Sequence, residues 1–224
     1  MNEKLITKSE IITNGFDPND LAKIEAIKKE MNFCKRDNQN DSILFVHAGN
    51  LYSGRTPIPL LYAWGSLIKS GELPRKAFCI KFIGSHREYI DKIIDVRDKF
   101  NLQNQLILKD MIPHKEAYLE LAQADVLLLL QPGTRLQIPA KLYEYIIFGK
   151  PIFAISPFGS INEIIEENDL GWWADSENIE SIKKCLIDIY KSFRDNHNDK
   201  NKNKIDISKF DGVKVFHVLL KKML

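Results

Sequence analysis

From Ser42 onward, the chain alternates short runs of apolar residues with segments in which apolar residues recur at helical spacing. The apolar runs are residues 43–46, 78–83, 105–108, 126–130 and 151–155, and the helical segments are 60–68, 89–100, 118–122 and 179–190. Apolar runs without alternating polar residues are typical of parallel strands that helices cover on both faces. The order therefore predicts an α/β fold, a Rossmann-like doubly wound parallel sheet, over residues 41–194.

Sheets of this kind bind ligands at the carboxyl ends of their strands. The loops that follow the apolar runs are therefore the places where binding or catalysis is expected. We expect these loops to lie along one edge of the sheet, with Gly49 and Glu144 on that same edge.

The composition argues against several classes of protein. Of the 224 residues, 44% are hydrophobic and 28% are charged, as in ordinary globular proteins and unlike disordered or fibrous chains. No apolar stretch approaches the ~20 residues of a membrane helix, and the first residues lack the pattern of a signal peptide, so we expect a cytoplasmic protein. The net charge of +2 is spread along the chain, which predicts no nucleic-acid partner.

The three cysteines, Cys34, Cys79 and Cys185, lie far apart in the sequence. Their number is odd and their spacing forms no C-x-x-C pair, so we expect reduced thiols rather than disulfides or a metal knuckle.

The first forty residues differ from the rest of the chain. Residues 11–17 predict a strand that ends in a turn at Asn14-Gly15, and residues 20–31 predict a helix that runs into a polar stretch. We interpret residues 1–40 as a connector that leads into the sheet domain.

The carboxyl-terminal part begins with residues 195–208, which are mostly Asn, Asp, Lys and His and predict a polar loop. Residues 209–224 predict an amphipathic helix. Its apolar side must pack on the connector or on a neighbour that this chain lacks, and a membrane surface is a further alternative. That side consists of Val213, Phe216, Leu220 and Met223.

The first candidate site is the loop that follows the first apolar run. Gly49 and Gly54 bracket a turn between a strand and a helix, a setting in which backbone N–H groups can approach a phosphate. The spacing nearly matches the triphosphate-binding loop G-x-x-x-x-G-K-S/T, but Arg55 stands where lysine is required. Alternatives stay open for both features. The loop N–H groups approach a phosphate, or the glycines only permit a tight connection; Arg55 contacts an anion, or it is a solvated surface charge.

The second candidate site follows the fourth apolar run. After the loop 131–137, a helix is predicted to begin at Pro139 and to end at Gly149, with Lys141 and Glu144 in its first turns. A helix start at this edge favours an anion such as a diphosphate, and Glu144 lies far enough along to reach the hydroxyls of a ribose. The alternative is that Lys141 and Glu144 form only a surface ion pair.

The second site resembles a known family. Residues 138–145 (IPAKLYEY), continued by 148–152 (FGKPI), are similar to the donor-site helix of GT-B-fold retaining glycosyltransferases of the group 1 type, which are related to sucrose and lipopolysaccharide sugar transferases. The resemblance covers nearly the whole chain in family order. It includes the segments 11–17, 47–55, 82–84, 112–116, 124–126 and 163–171.

The resemblance implies a role for each candidate residue. Glu144 would hold the donor ribose, Arg55 or Lys141 would face the diphosphate, the backbone at Met111 and Ile112 would meet the base, and the loop 133–137 would lie against the transferred sugar. No catalytic residue is assigned. The donor-binding set is Gly49, Asn50, Tyr52, Arg55, Gly84, Met111, Ile112, Gly133, Thr134, Lys141 and Glu144.

The sequence departs from the family at one point. Many relatives carry two glutamates eight positions apart, but Leu136 stands eight positions before Glu144. A carboxylate for the hydroxyls of the transferred sugar is therefore absent at this position, and the sugar stays unassigned.

The mechanism that the resemblance implies needs no metal and no cofactor beyond the nucleotide-diphosphate sugar itself. The sequence contains no D-x-D triplet, and its five histidines lack the spacing of a metal pair. We expect His114 to start a helix, and Trp172 and Trp173 to serve packing rather than sugar binding.

Enzymes of this type have two such domains, and the chain starts just before the segment that closes the first. The resemblance thus implies the C-terminal, donor-binding half of a hexosyltransferase for polysaccharide biosynthesis, with a glycan or glycolipid acceptor that could lie at a membrane surface. The acceptor-binding domain would be missing, so the chain alone would bind donor without transferring sugar. Alternatives are a nucleotide-sugar epimerase, a P-loop hydrolase and a non-catalytic nucleotide-sugar binding module.

Overall fold

The computed structural model describes residues 14–33, 42–52, 54–131, 133, 135–195 and 206–223. Within this part of the chain, strands and helices alternate as the apolar runs predict. The strands are β1 (Ile43–Ala48), β2 (Phe78–Ile83), β3 (Leu106–Lys109), β4 (Val126–Leu130), β5 (Ile152–Ser156) and β6 (Gly171–Asp175). The helices are α1 (Pro18–Phe33), α2 (Ile58–Ser70), α3 (Ile90–Lys99), α4 (His114–Gln123), α5 (Ala140–Ile146), α6 (Ser160–Glu167), α7 (Ile179–Asp195) and α8 (Gly212–Met223).

The six strands form one sheet in the order β3-β2-β1-β4-β5-β6, and every pairing is parallel. The predicted doubly wound parallel sheet is confirmed. All strands point the same way, so the loops that follow them lie along one edge, as expected. The order reverses direction between β1 and β4, and such a reversal opens a crevice at the carboxyl ends of the two strands.

The sheet separates two cores. On one face, α2, α3 and α7 cover aromatic side chains, and Phe45 meets Phe78 edge to face with ring centroids 5.0 Å apart. On the other face, α1, α4, α5 and α6 cover aliphatic side chains such as Leu127 and Leu129. The central strands β1 and β4 are buried along almost their whole length, which is why their sequences show no alternation.

The strand β6 was not predicted from the sequence. It lies at the edge of the sheet and reads Gly-Trp-Trp-Ala-Asp, with only Ala174 fully buried. An edge strand with half-buried residues lacks the continuous apolar run that identifies the central strands. Trp172 and Trp173 both serve packing, one on each core, and the Nε1 of Trp173 donates to Ser156 Oγ at 3.0 Å.

The helix predicted for residues 139–149 is shorter in the structure. Pro139 is the N-cap, α5 runs from Ala140 to Ile146, and a turn reaches Gly149, whose φ of +61° is readily adopted by glycine. His114, as expected, is the first residue of α4.

The connector is joined to the carboxyl-terminal segment. Phe16 N–H donates to Phe210 O at 2.8 Å, and Gly212 N–H donates to Phe16 O at 3.0 Å. Of the predicted strand 11–17, residues 11–13 lie outside the described residues, as do residues 196–205 of the predicted polar loop.

The apolar side of α8 is exposed in the described chain: Val213 is 50% exposed, Phe216 is 55% and Leu220 is 39%. The described part of the connector, residues 14–33, meets the start of α8 but leaves this side uncovered. The side chain of Met223 lies outside the described residues. None of the helices described is both long and apolar enough to cross a membrane.

Candidate functional site

A cavity of about 320 Å³ opens where the strand order reverses, at the carboxyl ends of β1 and β4. The chain segments around it are the end of β1, the glycine loop, the loop after β4 and the start of α5. Its polar lining comes from His47, Arg55, Gln131, Gln137, Lys141 and Glu144. We call this the switch-point cavity.

A second cavity of about 230 Å³ adjoins it and shares Arg55, Leu130 and Gln131 with it. The start of α2 and the ends of β5 and β6 complete its lining, which includes Gly133 and Glu177. Arg55 therefore lies between two neighbouring cavities and lines both of them.

The glycine loop after β1 is held by its own hydrogen bonds and by the loop after β2. The acceptors of its backbone N–H groups are carbonyl oxygens and one phenol, at 2.7–2.9 Å. The pairs are Gly49 to Ile83 O, Leu51 to Ser85 O, Gly54 to Tyr89 Oη, Arg55 to Tyr52 O and Thr56 to Gly54 O. These five N–H groups are already bonded within the protein, which favours side chains of the site over these groups as ligands for a phosphate. A glycine turn that permits a tight connection accounts for these contacts, and a phosphate at this loop stays a prediction.

Two of the candidate glycines allow the two loops to approach each other. Gly49 and Gly84 have φ of +148° and +129°, and a Cβ on Gly84 would lie 2.6 Å from Gly49 O. The side chain of Asn50 completes the contact by accepting a hydrogen bond from Ser85 N–H at 3.0 Å. These three residues shape the rim of the site through contacts between the loops.

Arg55 is fixed by two uncharged groups. One guanidinium nitrogen donates to Gln131 Oε1 at 3.1 Å, and another donates to Tyr52 Oη at 3.0 Å. The guanidinium carbon lies 5.0 Å from the centroid of the Tyr52 ring. Because neither partner carries a charge, these contacts orient the guanidinium without neutralising it.

Lys141 lies in the first turn of α5, and its ammonium donates to Ala48 O at the end of β1. Burial lowers the pKa of Lys141 to about 8, Glu144 opposes this shift, and Arg55 adds to it. In the described chain no ion pair joins Lys141 to Glu144, so the surface-pair alternative is wrong.

Glu144 is exposed and lines the switch-point cavity on the same helix as Lys141. The structure thus brings Arg55, Lys141 and Glu144 to one cavity, with Gly49 at its edge, where a Cβ would meet Lys141 Nζ.

Other candidates lie farther along the same edge. Met111 and Ile112 follow β3, at the far side of the sheet, and Met111 is 72% exposed. Leu136 is 83% exposed on the loop before α5, and Thr134 of that loop lies outside the described residues.

Two polar residues of the cavity are not among the donor-binding residues predicted from the sequence. His47, inside β1, is 1% exposed, and Gln131, the first residue after β4, is 4% exposed. In the sequence each is only a polar residue at the end of an apolar run, which also marks ordinary strand ends, so no signal distinguished them. Burial lowers the pKa of His47 to about 3, and the Lys141 charge contributes, so its imidazole is neutral near pH 7.

The family model of glycosyl transferases group 1 matches residues 28–205, which is most of the chain. The chain belongs to this family. The match includes β1 to β6 and both candidate sites, so the resemblance drawn from residues 138–152 is confirmed at the level of the family. A search of curated proteins finds no match.

Solved structures of glycosyltransferases share the fold. HepE of Anabaena in complex with UDP aligns with a TM-score of 0.66 at 15% identity, over 96% of this chain and 57% of HepE. Sucrose-phosphate synthase of Thermosynechococcus elongatus aligns with a TM-score of 0.65 at 12% identity, over 96% of this chain and 52% of the synthase. The chain therefore spans between half and three fifths of the length of these neighbours.

Membership of the group 1 family excludes the P-loop hydrolase alternative. The occupied N–H groups of the glycine loop and the missing lysine argue against it independently. In the described parts of this glycosyltransferase-family chain, no group of three or more His, Cys, Asp or Glu residues is placed to hold a metal ion.

Proposed function

We propose that this chain is the donor-binding half of a retaining glycosyltransferase and that a nucleotide-diphosphate sugar binds in the switch-point cavity. The observation that supports this is the meeting of two cationic side chains and one carboxylate, Arg55, Lys141 and Glu144, in one cavity at the carboxyl ends of β1 and β4. The two cations suit a diphosphate and the carboxylate suits a diol.

The diphosphate is held by side chains in this proposal. Arg55 offers a planar guanidinium whose two partners are uncharged, and Lys141 offers an ammonium that is largely buried. Both charges also stabilise the negative charge that develops on the leaving diphosphate as the sugar bond breaks. The chain thereby contributes electrostatic stabilisation and needs no nucleophile of its own.

The ribose is held by Glu144. Residues three apart on a helix lie on neighbouring positions of one face, so Lys141 and Glu144 can contact adjacent groups of the same ligand. The carboxylate is exposed to the cavity and can accept hydrogen bonds from two hydroxyls. The base would then extend towards Met111 and Ile112, and the sugar towards the loop 133–137.

The acceptor is positioned by a further unit in this proposal. Large apolar side chains stand exposed along the ligand-bearing edge, with Met111 at 72%, Leu136 at 83% and Phe158 at 60%. An acceptor-binding domain that covers this edge would close the cavity and exclude water from the reaction. We further propose a hexose donor and a glycan or glycolipid acceptor, in a cytoplasmic enzyme that acts in polysaccharide biosynthesis.

Calorimetric titration without divalent metal tests the proposal. The probes are UDP-glucose, GDP-mannose, UDP and GDP, together with inorganic phosphate as a small-anion reference. We expect one nucleotide to bind, and Arg55→Ala to weaken it at least tenfold. Arg97→Ala, in the last turn of α3 and not among the residues that line the cavity, is the matched control and should bind as the wild type does. If no nucleotide bound, or if both variants bound alike, the proposal would be rejected.

A further inference from the structure

The ring of His47 has one used and one unused nitrogen. Nδ1 lies 2.9 Å from Leu128 O, and a carbonyl oxygen can only accept, so Nδ1 carries the hydrogen. Nε2 is then an acceptor with a free lone pair. It is buried and has no hydrogen-bond partner, although His47 is one of the residues that line the switch-point cavity.

An unpartnered polar atom in this position calls for an explanation. Buried polar atoms without partners are rare in folded proteins, because each one has lost its hydrogen bond to water. His47 is 1% exposed, so bulk solvent does not satisfy Nε2. The switch-point cavity, which His47 lines, is a space from which a partner can come.

We propose that Nε2 of His47 accepts a hydrogen bond from a hydroxyl group of the bound nucleotide sugar. This inference rests on the function proposed above and adds a residue to the site. The shared chemistry is a neutral O–H donor, supplied either by the ribose or by the transferred sugar.

The lone pair selects a hydroxyl over a phosphate. Phosphate oxygens of a nucleotide diphosphate sugar are acceptors, and two acceptors repel unless a hydrogen lies between them. Burial and the nearby charges of Lys141 and Arg55 keep the imidazole neutral, so it brings no hydrogen of its own on Nε2. In this proposal Lys141 contacts the diphosphate, and the neutral imidazole of His47 accepts a hydrogen bond from a hydroxyl of the same ligand.

A competing explanation assigns His47 a purely structural role. The ring joins β1 to β4 through Leu128 O, and it packs near Phe82 with centroids 6.0 Å apart. The Lys141 ammonium, which donates to Ala48 O beside the ring, could also turn and donate to Nε2. The experiment must therefore separate the acceptor at Nε2 from the donor at Nδ1.

Two substitutions separate the two nitrogens. The amide of Gln reaches the position of Nε2 and can accept there, whereas the shorter amide of Asn keeps a donor near Nδ1 for Leu128 O. We expect His47→Gln to bind the donor within about threefold of the wild type, and His47→Asn to bind about tenfold more weakly. The reverse order would overturn the inference, because it is the order that a structural role predicts.

A measurement on the wild type covers the case in which the variants do not fold. In nitrogen-15-labelled protein, the Nε2 signal of His47 should have the chemical shift of an unbonded neutral nitrogen and should move on saturation with the nucleotide sugar that binds. An Nε2 signal already shifted before ligand is added would assign the partner to Lys141 and overturn the inference. A signal that stays fixed at saturation would overturn it as well.

The probes identify the source of the hydroxyl. A shift caused by the nucleoside diphosphate alone, and lost with its 2′-deoxy or 3′-deoxy analogue, assigns the ribose. A shift that appears only with the nucleotide sugar assigns the transferred sugar. If the wild type bound no nucleotide at all, the proposed function and this inference would fall together, whereas binding without any response at His47 would overturn this inference alone.

Discussion

The contacts that hold Arg55 and Lys141 in the switch-point cavity leave both side chains able to bind an anion. Arg55 rests on an amide and a phenol, and Lys141 on a backbone carbonyl. Neither interaction cancels a charge, and burial makes retention of the Lys141 charge costly, which is why its pKa falls to about 8. An anion in the cavity would relieve that cost.

The depressed pKa of Lys141 predicts a pH dependence of donor binding. An anion raises this pKa, so above about pH 8 binding must take up a proton, whereas below about pH 8 the lysine is already charged. Affinity for a nucleotide sugar should be nearly flat from about pH 6.5 to 7.5 and should then fall by up to ~tenfold per unit as Lys141 deprotonates. Calorimetry across this range measures it. Lys141→Arg should remove the dependence, and a wild-type affinity that stayed constant up to about pH 9.5 would contradict the assignment.

Glu144 provides a second test at the scale of a residue. Glu144→Ala should weaken binding of a nucleoside diphosphate by roughly ten- to a hundredfold, because charge-assisted hydrogen bonds contribute about 1.5–3 kcal/mol. The side chain is exposed, so the thermal midpoint should not change. Glu167→Ala, exposed at the end of α6, is the control for loss of a negative charge. Equal affinities in the two variants would show that the ribose lies elsewhere.

These residues show which parts of the candidate site can be predicted from the sequence. Arg55, Lys141 and Glu144 could be predicted because each stands at a recognisable place, beside a glycine turn or in the first turns of a helix that follows a buried strand. His47 and Gln131 could not, because a polar residue next to an apolar run looks like an ordinary strand end. Only the pairing of β1 with β4 shows that both are buried beside the same cavity.

At the scale of elements, the loop after β2 positions the glycine loop. Tyr89, directly before α3, accepts the hydrogen bond of Gly54 N–H at 2.9 Å, and Arg55 is the next residue. This contact spans 35 positions in the sequence and has no local signature. The spacing of the two glycines suggested that the N–H groups of this loop approach a phosphate. Spacing alone cannot show that several of these N–H groups are already bonded within the protein.

The role of Tyr89 can be tested directly. Tyr89→Phe removes the acceptor for Gly54 N–H and retains the ring, so the loop that carries Arg55 should become less ordered. We expect diphosphate affinity to fall about two- to tenfold, the equivalent of one net hydrogen bond of about 0.5–1.5 kcal/mol. Tyr190→Phe, which loses a surface hydrogen bond to Arg194 on α7, is the matched control. An unchanged affinity in Tyr89→Phe would mean that the loop holds Arg55 without this contact.

The strands show which elements a sequence can specify. The apolar runs coincide with β1 to β5. Of these, β1, β4 and β5 are buried along almost their whole length, and β3, although it lies at an edge of the sheet, keeps the apolar run Leu106, Ile107 and Leu108. The strand β6 begins at Gly171, ends at Asp175 and has only Ala174 fully buried, so neither alternation nor a long continuous apolar run marks it. The fold class was therefore predictable from these five strands, and the edge strand β6 was not.

At the scale of the whole molecule, the proposed donor site is open along the carboxyl-end edge of the sheet. Its exposed apolar side chains and the uncovered side of α8 are the two surfaces on which the proposed acceptor-binding unit would rest. The chain spans 57% of HepE, and the remainder of that neighbour has no counterpart in this alignment.

This account predicts binding without transfer. The polypeptide of residues 1–224 should bind a nucleotide sugar but transfer none of it, because positioning of the acceptor can contribute about 7–11 kcal/mol to lowering the barrier. Slow hydrolysis of the donor should be the only turnover. An assay with labelled donor and candidate acceptors, in the presence and absence of an added acceptor-binding domain, measures this. Transfer by the chain alone at ordinary enzymatic rates, ~1–1000 per second, would place an acceptor site within it.

The most direct test of the central claim is a crystal structure of this chain with the nucleotide sugar that binds it. We predict diphosphate oxygens within hydrogen-bond distance of the Arg55 guanidinium and the Lys141 ammonium, and ribose hydroxyls on Glu144. A nucleotide bound elsewhere, with Arg55 still on Gln131 and Lys141 still on Ala48 O, would contradict the assignment of the switch-point cavity as the donor site.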